Sequence, residues 1–349
     1  MNEQKAIRLL ACALLVFSFI AVRVDAATSA PGDSASGACA INADATFPQA
    51  AISNGAVNAV LYLPNAETGY YRAVRFDWSG AVACLAYKGH TYFGPWSPPH
   101  DPSLHDVISG PVEEFRSSDG DSSINYDHAK PGEPFIKIGV GLLRKIDDSP
   151  YKIATPYPLI DGGKWTVRTG PAGVSFQQVL KSAIGFAYVY KKTVELDKHQ
   201  PVLILHHELK NTGTQTIDTL IYDHDFFVID NTPTGPDMVV KFPFELKPAK
   251  DLTNGARVES KQITYTRELE TGQTAMSGLT GFTNNAAEYD FIVENQATGV
   301  GVEQTGDQPL ARINFWSVRN TIGPEGYINI KVAPGQTAHW TIRYRFYAK

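Results

Sequence analysis

Residues 201–230 read PVLILHHELKNTGTQTIDTLIYDHDFFVID, and this stretch decides the fold. Residues 202–210 and 216–222 are rich in alternating apolar residues, the pattern of half-buried β-strands. Between them, residues 211–214 supply Asn, Thr and Gly, which favour a turn. The stretch therefore predicts a β-hairpin.

The second predicted strand of this stretch leads directly into a histidine between two carboxylates. Asp223, His224 and Asp225 are followed by Phe226 and Phe227. Flanking carboxylates raise the pKa of an imidazole and apolar neighbours lower it, so a histidine in this setting can titrate near neutral pH. Groups that transfer protons in catalysis have that property. The alternative is a surface histidine that pairs with Asp223 and Asp225 where the strand ends.

The rest of the chain has the same strand-like character. Short strand-like runs recur between turn signals up to residue 347, among them residues 135–143 and 259–267, and few runs have the helical period. The 29 glycines, 22 prolines and 11% aromatic residues are typical of a large all-β protein. No internal repeat of fixed period appears, which argues against a propeller or a β-helix. We predict one large antiparallel β-sandwich over residues 46–349.

The N-terminal segment has the pattern of a secretory leader. Residues 1–26 contain Lys5 and Arg8, then an apolar run, then a small residue suited to cleavage, so we predict a signal peptide. Residues 27–45 form a predicted flexible lead-in. The chain is therefore expected to be periplasmic or secreted. An oxidising compartment favours a bridge between the two remaining thiols, Cys39 and Cys84.

Charge and motifs exclude several classes of partner and cofactor. The net charge is −5 and no basic tract is present, so neither nucleic acid nor, after leader removal, a membrane is expected as a partner. His207 and Glu208 begin like a zinc-protease motif, but Asn211 stands where the second histidine is needed. We expect no metal and no organic cofactor.

Residues 89–127 interrupt the strand pattern. This stretch contains five prolines together with several His, Asp and Trp residues. Loops of this length in compact domains are usually functional or disordered. We expect this one to fold over one face of the sheet and to wall a cleft.

At three places the chain resembles the galactose mutarotase-like superfamily, the aldose 1-epimerases and their relatives. Residues 223–227 resemble the family's Asn-His-Ser-Tyr-Phe segment, although both residues beside the histidine are Asp here. Residues 75–90 are similar to its opening hairpin, and residues 324–346 to its closing strands with a Pro-Gly turn. The resemblance covers most of the mature chain and implies that family's β-supersandwich.

The resemblance also implies an activity and a catalytic pair. Aldose 1-epimerases interconvert sugar anomers, which requires one general acid, one general base and no cofactor. His224 is the predicted acid, its charged form favoured by Asp223 and Asp225. By position in the family order Glu325 is the predicted base, with Glu303 as the rival base. The expected partner is a small-molecule sugar or an oligosaccharide. The alternatives are a non-catalytic carbohydrate-binding protein and a polysaccharide-degrading enzyme on the same sandwich.

Candidate substrate-binding residues are those that stack on sugar rings or bind hydroxyl groups. Arg75 and Asp77 are the best pair, because period-two spacing would place both on one face of a strand. Tyr92 and Trp316 are the best aromatic candidates. Further candidates are Trp78, Trp96, Trp165 and, as a weaker alternative to the arginine pair, His105 with Asp106.

Overall fold

The computed structural model describes residue 39 and residues 43–349. The predicted leader, residues 1–26, and most of the predicted lead-in, residues 27–45, lie outside the described residues. The described part of the chain contains 23 strands and one 3₁₀ helix, Ala286–Glu288, and no helix in it is long and apolar enough to cross a membrane. In chain order the strands are β1 (Gln49–Ser53), β2 (Val57–Tyr62), β3 (Val82–Tyr87), β4 (His90–Phe93), β5 (Val112–Ser117), β6 (Pro134–Lys137), β7 (Gly141–Arg144), β8 (Leu159–Asp161), β9 (Lys164–Thr169), β10 (Gly173–Lys181), β11 (Ala187–Leu196), β12 (Val202–Asn211), β13 (Ile217–His224), β14 (Met238–Lys241), β15 (Lys247–Pro248), β16 (Ala256–Glu259), β17 (Gln262–Tyr265), β18 (Thr274–Thr280), β19 (Asp290–Asn295), β20 (Val300–Gly306), β21 (Leu310–Val318), β22 (Thr321–Val332) and β23 (Thr337–Ala348).

Two large antiparallel sheets form the body of the fold. One has ten strands in the order β16-β17-β14-β19-β20-β23-β12-β11-β10-β9, and the other has six in the order β15-β18-β21-β22-β13-β5. Apolar side chains from both sheets join one core cluster, which includes Leu205 and Ile342 from the first and Ile221 and Phe315 from the second. The predicted all-β sandwich is confirmed. Two smaller sheets, β1-β2-β3-β4 and β6-β7-β8, complete the described strands.

The predicted central hairpin is wrong. β12 pairs with β11 and β23 in the ten-stranded sheet, whereas β13 pairs with β22 and β5 in the six-stranded sheet. The turn between them carries the chain from one layer to the other. Asn211 fixes this crossover, because its side-chain amide donates to the carbonyls of Gln215 and Val332, each at 2.8 Å. The residues that predicted a tight turn therefore link the two sheets.

Two other segments that the sequence predicts as single strands are β-hairpins in the structure. Residues 135–143 form β6 and β7, with a turn at Gly139 whose φ is 79°. Residues 259–267 include the turn between β16 and β17, where Ser260 has a φ of 58°. Positive φ values break the extended backbone of a strand. The apolar runs in both places continue across the turn, which explains why the sequence pattern hides it.

Cys39 and Cys84 form a disulfide, as the sequence favours, across a separation of 45 residues. The bond ties the entry segment to β3. Closing a loop of that length restricts the unfolded chain, which is worth about 2–4 kcal/mol. We expect the double variant Cys39→Ser with Cys84→Ser to lose about that much free energy of unfolding in urea titration. A reduced wild-type protein should match the variant, and an unchanged midpoint in both would contradict the stabilising role.

Candidate active site

Polar and aromatic side chains cover the face of the six-stranded sheet that points away from the ten-stranded sheet. Neighbouring strands place them in two rows. In the first, Asn314 lies opposite both Glu325 and Gly278, and His224 contacts Glu325. The second row lies two residues further along each strand. It contains Glu114, Tyr222, Tyr327 and Arg312.

His224 and Glu325 meet directly in the first row. The Nε2 atom of His224 lies 3.2 Å from Oε1 of Glu325, and both residues are only 3% exposed. β13 ends at His224, and Glu325 lies within β22, its neighbour in the sheet. A buried imidazole in contact with a buried carboxyl group can hold one proton and pass it to a third group.

Aromatic rings surround His224. Phe226 stacks on the imidazole with a centroid distance of 3.6 Å, and Trp316 and Phe76 contact it edge-on at 5.1 and 5.6 Å. Burial among these rings, and next the charge of Arg75, hold the pKa of His224 well below its ordinary value. Its Nδ1 atom has no hydrogen-bond partner among the described residues. The imidazole is therefore neutral at pH 7.

The stacked ring of Phe226 is held by an unusual backbone. Its φ is 46°, in the left-handed region that a large side chain rarely adopts. Such strain is found where the surrounding structure imposes it, most often at functional sites. Trp96 stacks on the other side of Phe226, with a centroid distance of 5.2 Å.

The two aspartates beside His224 do not contact it. Alternation along the strand turns Asp223 and Asp225 into the sandwich, where both bond the Tyr344 hydroxyl, at 2.7 and 2.8 Å. A phenol has only one hydrogen, so one of the two carboxyl groups is protonated and donates to Tyr344. Burial raises the pKa of Asp225 well above its ordinary value and that of Asp223 to about 6, so both carboxyl groups are shifted toward their neutral forms. The prediction that these aspartates keep His224 charged is wrong.

Glu325 is also held in an environment that favours its neutral form. Burial raises its pKa to about 7, although the side-chain amide of Asn314 donates to Oε2 at 2.9 Å and opposes that shift. The Tyr327 hydroxyl donates to the same oxygen at 3.3 Å. A carboxyl group with this pKa gains and loses its proton near neutral pH, as a general acid or base must.

Arg75 joins the site through an ion network. Its Nε donates to Glu114 at 2.8 Å, a second nitrogen donates to the Tyr222 hydroxyl at 2.9 Å, and a third contacts Asp106. Glu114 also accepts from the buried Nζ of Lys137 at 3.0 Å. Burial alone would raise the pKa of Glu114, but the surrounding cations hold it far below its ordinary value.

A cavity of about 490 Å³, within the size range of small-molecule sites, is lined by Arg75, His224, Phe226, Asn314, Glu325 and Tyr327 from this group. Its walls combine charged groups with the ring of Trp316 and the side chain of Met276. Asp106 and Arg116 also line it, so the stretch 89–127 helps to wall the cleft. That stretch is less irregular than the sequence suggests, because it contains β4 and β5.

Comparison with known proteins identifies solved structures with a similar architecture. No protein-family model and no curated protein matches the chain. Solved structures do match. A galactose mutarotase related enzyme from Lactobacillus acidophilus has 10% identity and a TM-score of 0.53, and covers 86% of this chain and 97% of its own. The chain has the galactose mutarotase-like fold.

Two further structures agree. An aldose epimerase homologue from C. elegans has 12% identity and a TM-score of 0.52, covering 86% of this chain and 98% of its own. A galactose mutarotase-like protein from Clostridium acetobutylicum has 12% identity and a TM-score of 0.52, covering 86% and 95%. The predicted resemblance is confirmed for the fold, and at these identities function has to be argued from the site.

Within this galactose mutarotase-like fold, the predicted substrate residues separate into two groups. Arg75 and Trp316 line the cavity, as does Asp106. Asp77 does not: residues 75–77 are not in a strand, and the Asp77 carboxylate accepts from Tyr190 at 2.9 Å inside the sandwich. The predicted sharing of one face by Arg75 and Asp77 is wrong, because it assumed an extended strand.

The other aromatic candidates and the rival base lie elsewhere. Tyr92 is fully buried, donates to the carbonyl of Tyr347 at 2.9 Å and does not line the cavity. Glu303 lies on β20, in the ten-stranded sheet, and pairs with Arg345 at 2.5 Å. Glu303 lies away from the cavity, so Glu325 is the carboxyl group next to His224. Trp78 and Trp165 also lie outside the cavity, and Trp96 supports Phe226 from behind.

Sequence reasoning missed Asn314, Arg312, Tyr327, Glu114 and Arg116. A signal for some of them exists. Arg312, Asn314 and Trp316 alternate along one face of β21, and polar residues at that spacing beside apolar ones indicate a functional face. No local pattern marks Glu114 and Arg116, because β5 was hidden in the proline-rich stretch.

Proposed function

We propose that this protein is a mutarotase, which interconverts the anomers of an aldose with His224 and Glu325 as the proton-transfer pair. The observation that carries the proposal is the 3.2 Å contact between these two buried groups at the wall of a cavity of about 490 Å³. The galactose mutarotase-like fold supports it.

The chemistry fits a closely spaced pair. Opening a pyranose ring removes the proton from the anomeric hydroxyl and adds one to the ring oxygen, and both oxygens are bonded to the same carbon. Two neighbouring groups can therefore serve both oxygens, and each positioned transfer contributes roughly 10²- to 10⁴-fold. No electrons are transferred, so His224 and Glu325 suffice without a cofactor.

The pair works with a single shared proton. With the proton on Glu325 the imidazole is neutral, and with the proton on His224 the carboxylate is charged, so the two arrangements have the same proton count. The surroundings favour the proton on Glu325. The roles predicted from sequence, His224 as acid and Glu325 as base, stay a prediction. The titration of the pair is a property of both groups together.

This proton count predicts the pH dependence of mutarotation. Above the pKa of Glu325, which is about 7, the pair has lost its only proton, so kcat/KM should fall. Below it the pair stays active until His224 gains a second proton, well below the ordinary histidine pKa. Polarimetry across the acid, neutral and alkaline range, corrected for the buffer-catalysed rate, checks this. Activity that rises through pH 7 and stays high would contradict it.

The proposal is tested by polarimetry on freshly dissolved aldoses. Wild-type protein should accelerate mutarotation of at least one sugar, and His224→Ala should lower kcat by roughly 10²-fold or more. Gly278→Val is a second variant, since a Cβ there would lie 3.7 Å from Ala249 and 3.9 Å from the Ile313 carbonyl, an ordinary fit. The added side chain should narrow the cavity beside Asn314 and lower kcat/KM, and a thermal melt checks that the variant is folded.

The outcomes separate the alternatives. Sugar binding without any acceleration would support a non-catalytic binding protein, and cleavage of oligosaccharides would support a polysaccharide-degrading enzyme. Acceleration that survives in both His224→Ala and Gly278→Val would show that the cavity is not the site.

We also propose that the protein acts in the periplasm or is secreted. The predicted signal peptide supports this, and so does the disulfide between Cys39 and Cys84, because such bonds persist in oxidising compartments. Fractionation of cells expressing the full chain tests it.

A further inference from the structure

The cavity carries an arginine without a counter-ion. Arg312 lies in the second row, with its guanidinium carbon 4.1 Å from the centroid of the Tyr327 ring. Among the described residues no carboxylate lies within ion-pair distance of it, and its buried Nε has no hydrogen-bond partner. The charge of Arg312 is therefore balanced by no acidic side chain.

A second arginine of the cavity is only weakly compensated. The nearest carboxylate oxygen to Arg116 belongs to Glu114, at 4.0 Å from Nε, and that carboxylate already binds Arg75 at 2.8 Å and Lys137 at 3.0 Å. The buried Nε of Arg116 has no hydrogen-bond partner in the described part of the chain, and another of its nitrogens donates to the carbonyl of Asp121 at 3.0 Å. Asp119, on the adjacent loop, accepts from Ser117 and makes no ion pair with either arginine.

The charges of the site leave an excess of positive charge. The site contains four cationic side chains and three carboxyl groups. One of the carboxyl groups, Glu325, is partly protonated near pH 7. Partly buried cations without counter-ions are costly, and an anionic ligand would relieve that cost. The cations are Arg75, Arg116, Lys137 and Arg312, and the carboxylates are Asp106, Glu114 and Glu325.

The spacing of the two rows determines how far the excess positive charge lies from His224 and Glu325. Arg312 and Asn314 point the same way along β21, two residues apart, and Asn314 holds Glu325. A two-residue step along a strand is about 6.8 Å. That step is comparable with the distance across a pyranose ring, from its anomeric oxygen to a substituent on the opposite side.

We propose that the substrate is an anionic aldose, whose carboxylate or phosphate binds Arg312 and Arg116 while its anomeric end meets His224 and Glu325. This rests on the proposed function and narrows its substrate class. Arginine is the residue best suited to the planar, bidentate recognition of either group. A uronic acid and a hexose 6-phosphate both keep the free anomeric hydroxyl that mutarotation needs.

Polarimetry on matched sugars tests the proposal. Glucuronate and galacturonate are compared with glucose 6-phosphate and with neutral glucose and galactose. We expect at least one anionic sugar to exceed its neutral counterpart by about tenfold or more in kcat/KM. Arg312→Gln should remove about 10- to 100-fold of kcat/KM for the anionic sugar and less than about threefold for the neutral one. Arg312→Lys should restore part of the loss.

Calorimetry keeps this test independent of turnover. The same sugars are titrated into wild-type protein and into Arg312→Gln, after thermal melts confirm that the variant is folded. Tighter binding of anionic sugars that disappears in Arg312→Gln supports the charge selectivity even when no sugar is turned over, and then only the mutarotase proposal fails. Equal binding and turnover of neutral and anionic sugars, changed alike by Arg312→Gln and Arg116→Gln, would overturn it.

Discussion

Replacing Glu325 with Gln should lower kcat for mutarotation by roughly 10²- to 10⁴-fold, the loss expected when a positioned proton-transfer group is removed. Gln has nearly the shape of Glu and keeps a carbonyl oxygen for the Asn314 amide, which donates to Oε2 of Glu325 at 2.9 Å. It cannot exchange a proton near neutral pH. The geometry of His224 should therefore survive while the chemistry is lost.

The same substitution should stabilise the protein at high pH. Burial raises the folded-state pKa of Glu325 to about 7 from its ordinary 4.5. A raised pKa means that ionisation is easier in the unfolded chain, so wild-type stability falls as pH rises from 4.5 through 7. The loss at higher pH is on the order of 3 kcal/mol. Urea titration should find Glu325→Gln more stable than wild type above pH 7 and similar to it at acid pH.

Glu303→Gln is the matched control for Glu325→Gln. It makes the same chemical change at the rival base, whose carboxylate pairs with Arg345 on the ten-stranded sheet. Activity should stay at the wild-type level, and the stability change should be within about 1 kcal/mol, as for partly exposed ion pairs. Full activity in Glu325→Gln, or equal inactivity in both variants, would refute the assignment.

The two residues of the proposed proton-transfer pair could be picked out from the sequence because their order along the chain resembles the family's, and the structure brings them into contact at 3.2 Å. His224 ends an apolar strand, and Glu325 lies in the closing segment, residues 324–346, that resembles the family's. The sequence did not reveal which way the side chains of Asp223 and Asp225 point. Strand alternation places Asp223 and Asp225 on the opposite face from His224, where both bond the Tyr344 hydroxyl.

The rest of the site depends on pairings between distant segments. Glu114 is next to Tyr222 only because β5 pairs with β13, which is more than 100 residues away in sequence. Local sequence patterns do not indicate which distant strands pair. The fold class needs only the alternation within each strand, which is why it could be predicted and the partners of β12 and β13 could not.

The largest stability effect is expected inside the sandwich, at a buried ion pair that no sequence pattern marked. Lys192 on β11 contacts Glu113 on β5 at 2.5 Å, and both side chains are fully buried. Glu113 also bonds His207 at 2.7 Å. Although burial opposes it, Lys192 and then His207 hold the pKa of Glu113 at about 2. Both members of the pair are thus charged, and the pair joins the two large sheets.

The losses of free energy of unfolding on removing the two members of this ion pair should not be additive. Lys192→Met leaves a buried carboxylate with only His207, and Glu113→Gln leaves a buried ammonium, so each should lower the free energy of unfolding by about 3–5 kcal/mol. The double variant removes both charges of the pair and should lose clearly less free energy of unfolding than the sum of the two single losses. Urea titration of all four proteins gives the coupling energy. The exposed pair of Lys331 and Asp218, at 2.8 Å, is the control, and Lys331→Met should cost about 1 kcal/mol or less. Additive losses at Lys192 and Glu113 would mean that the two sheets are held by packing alone at this position.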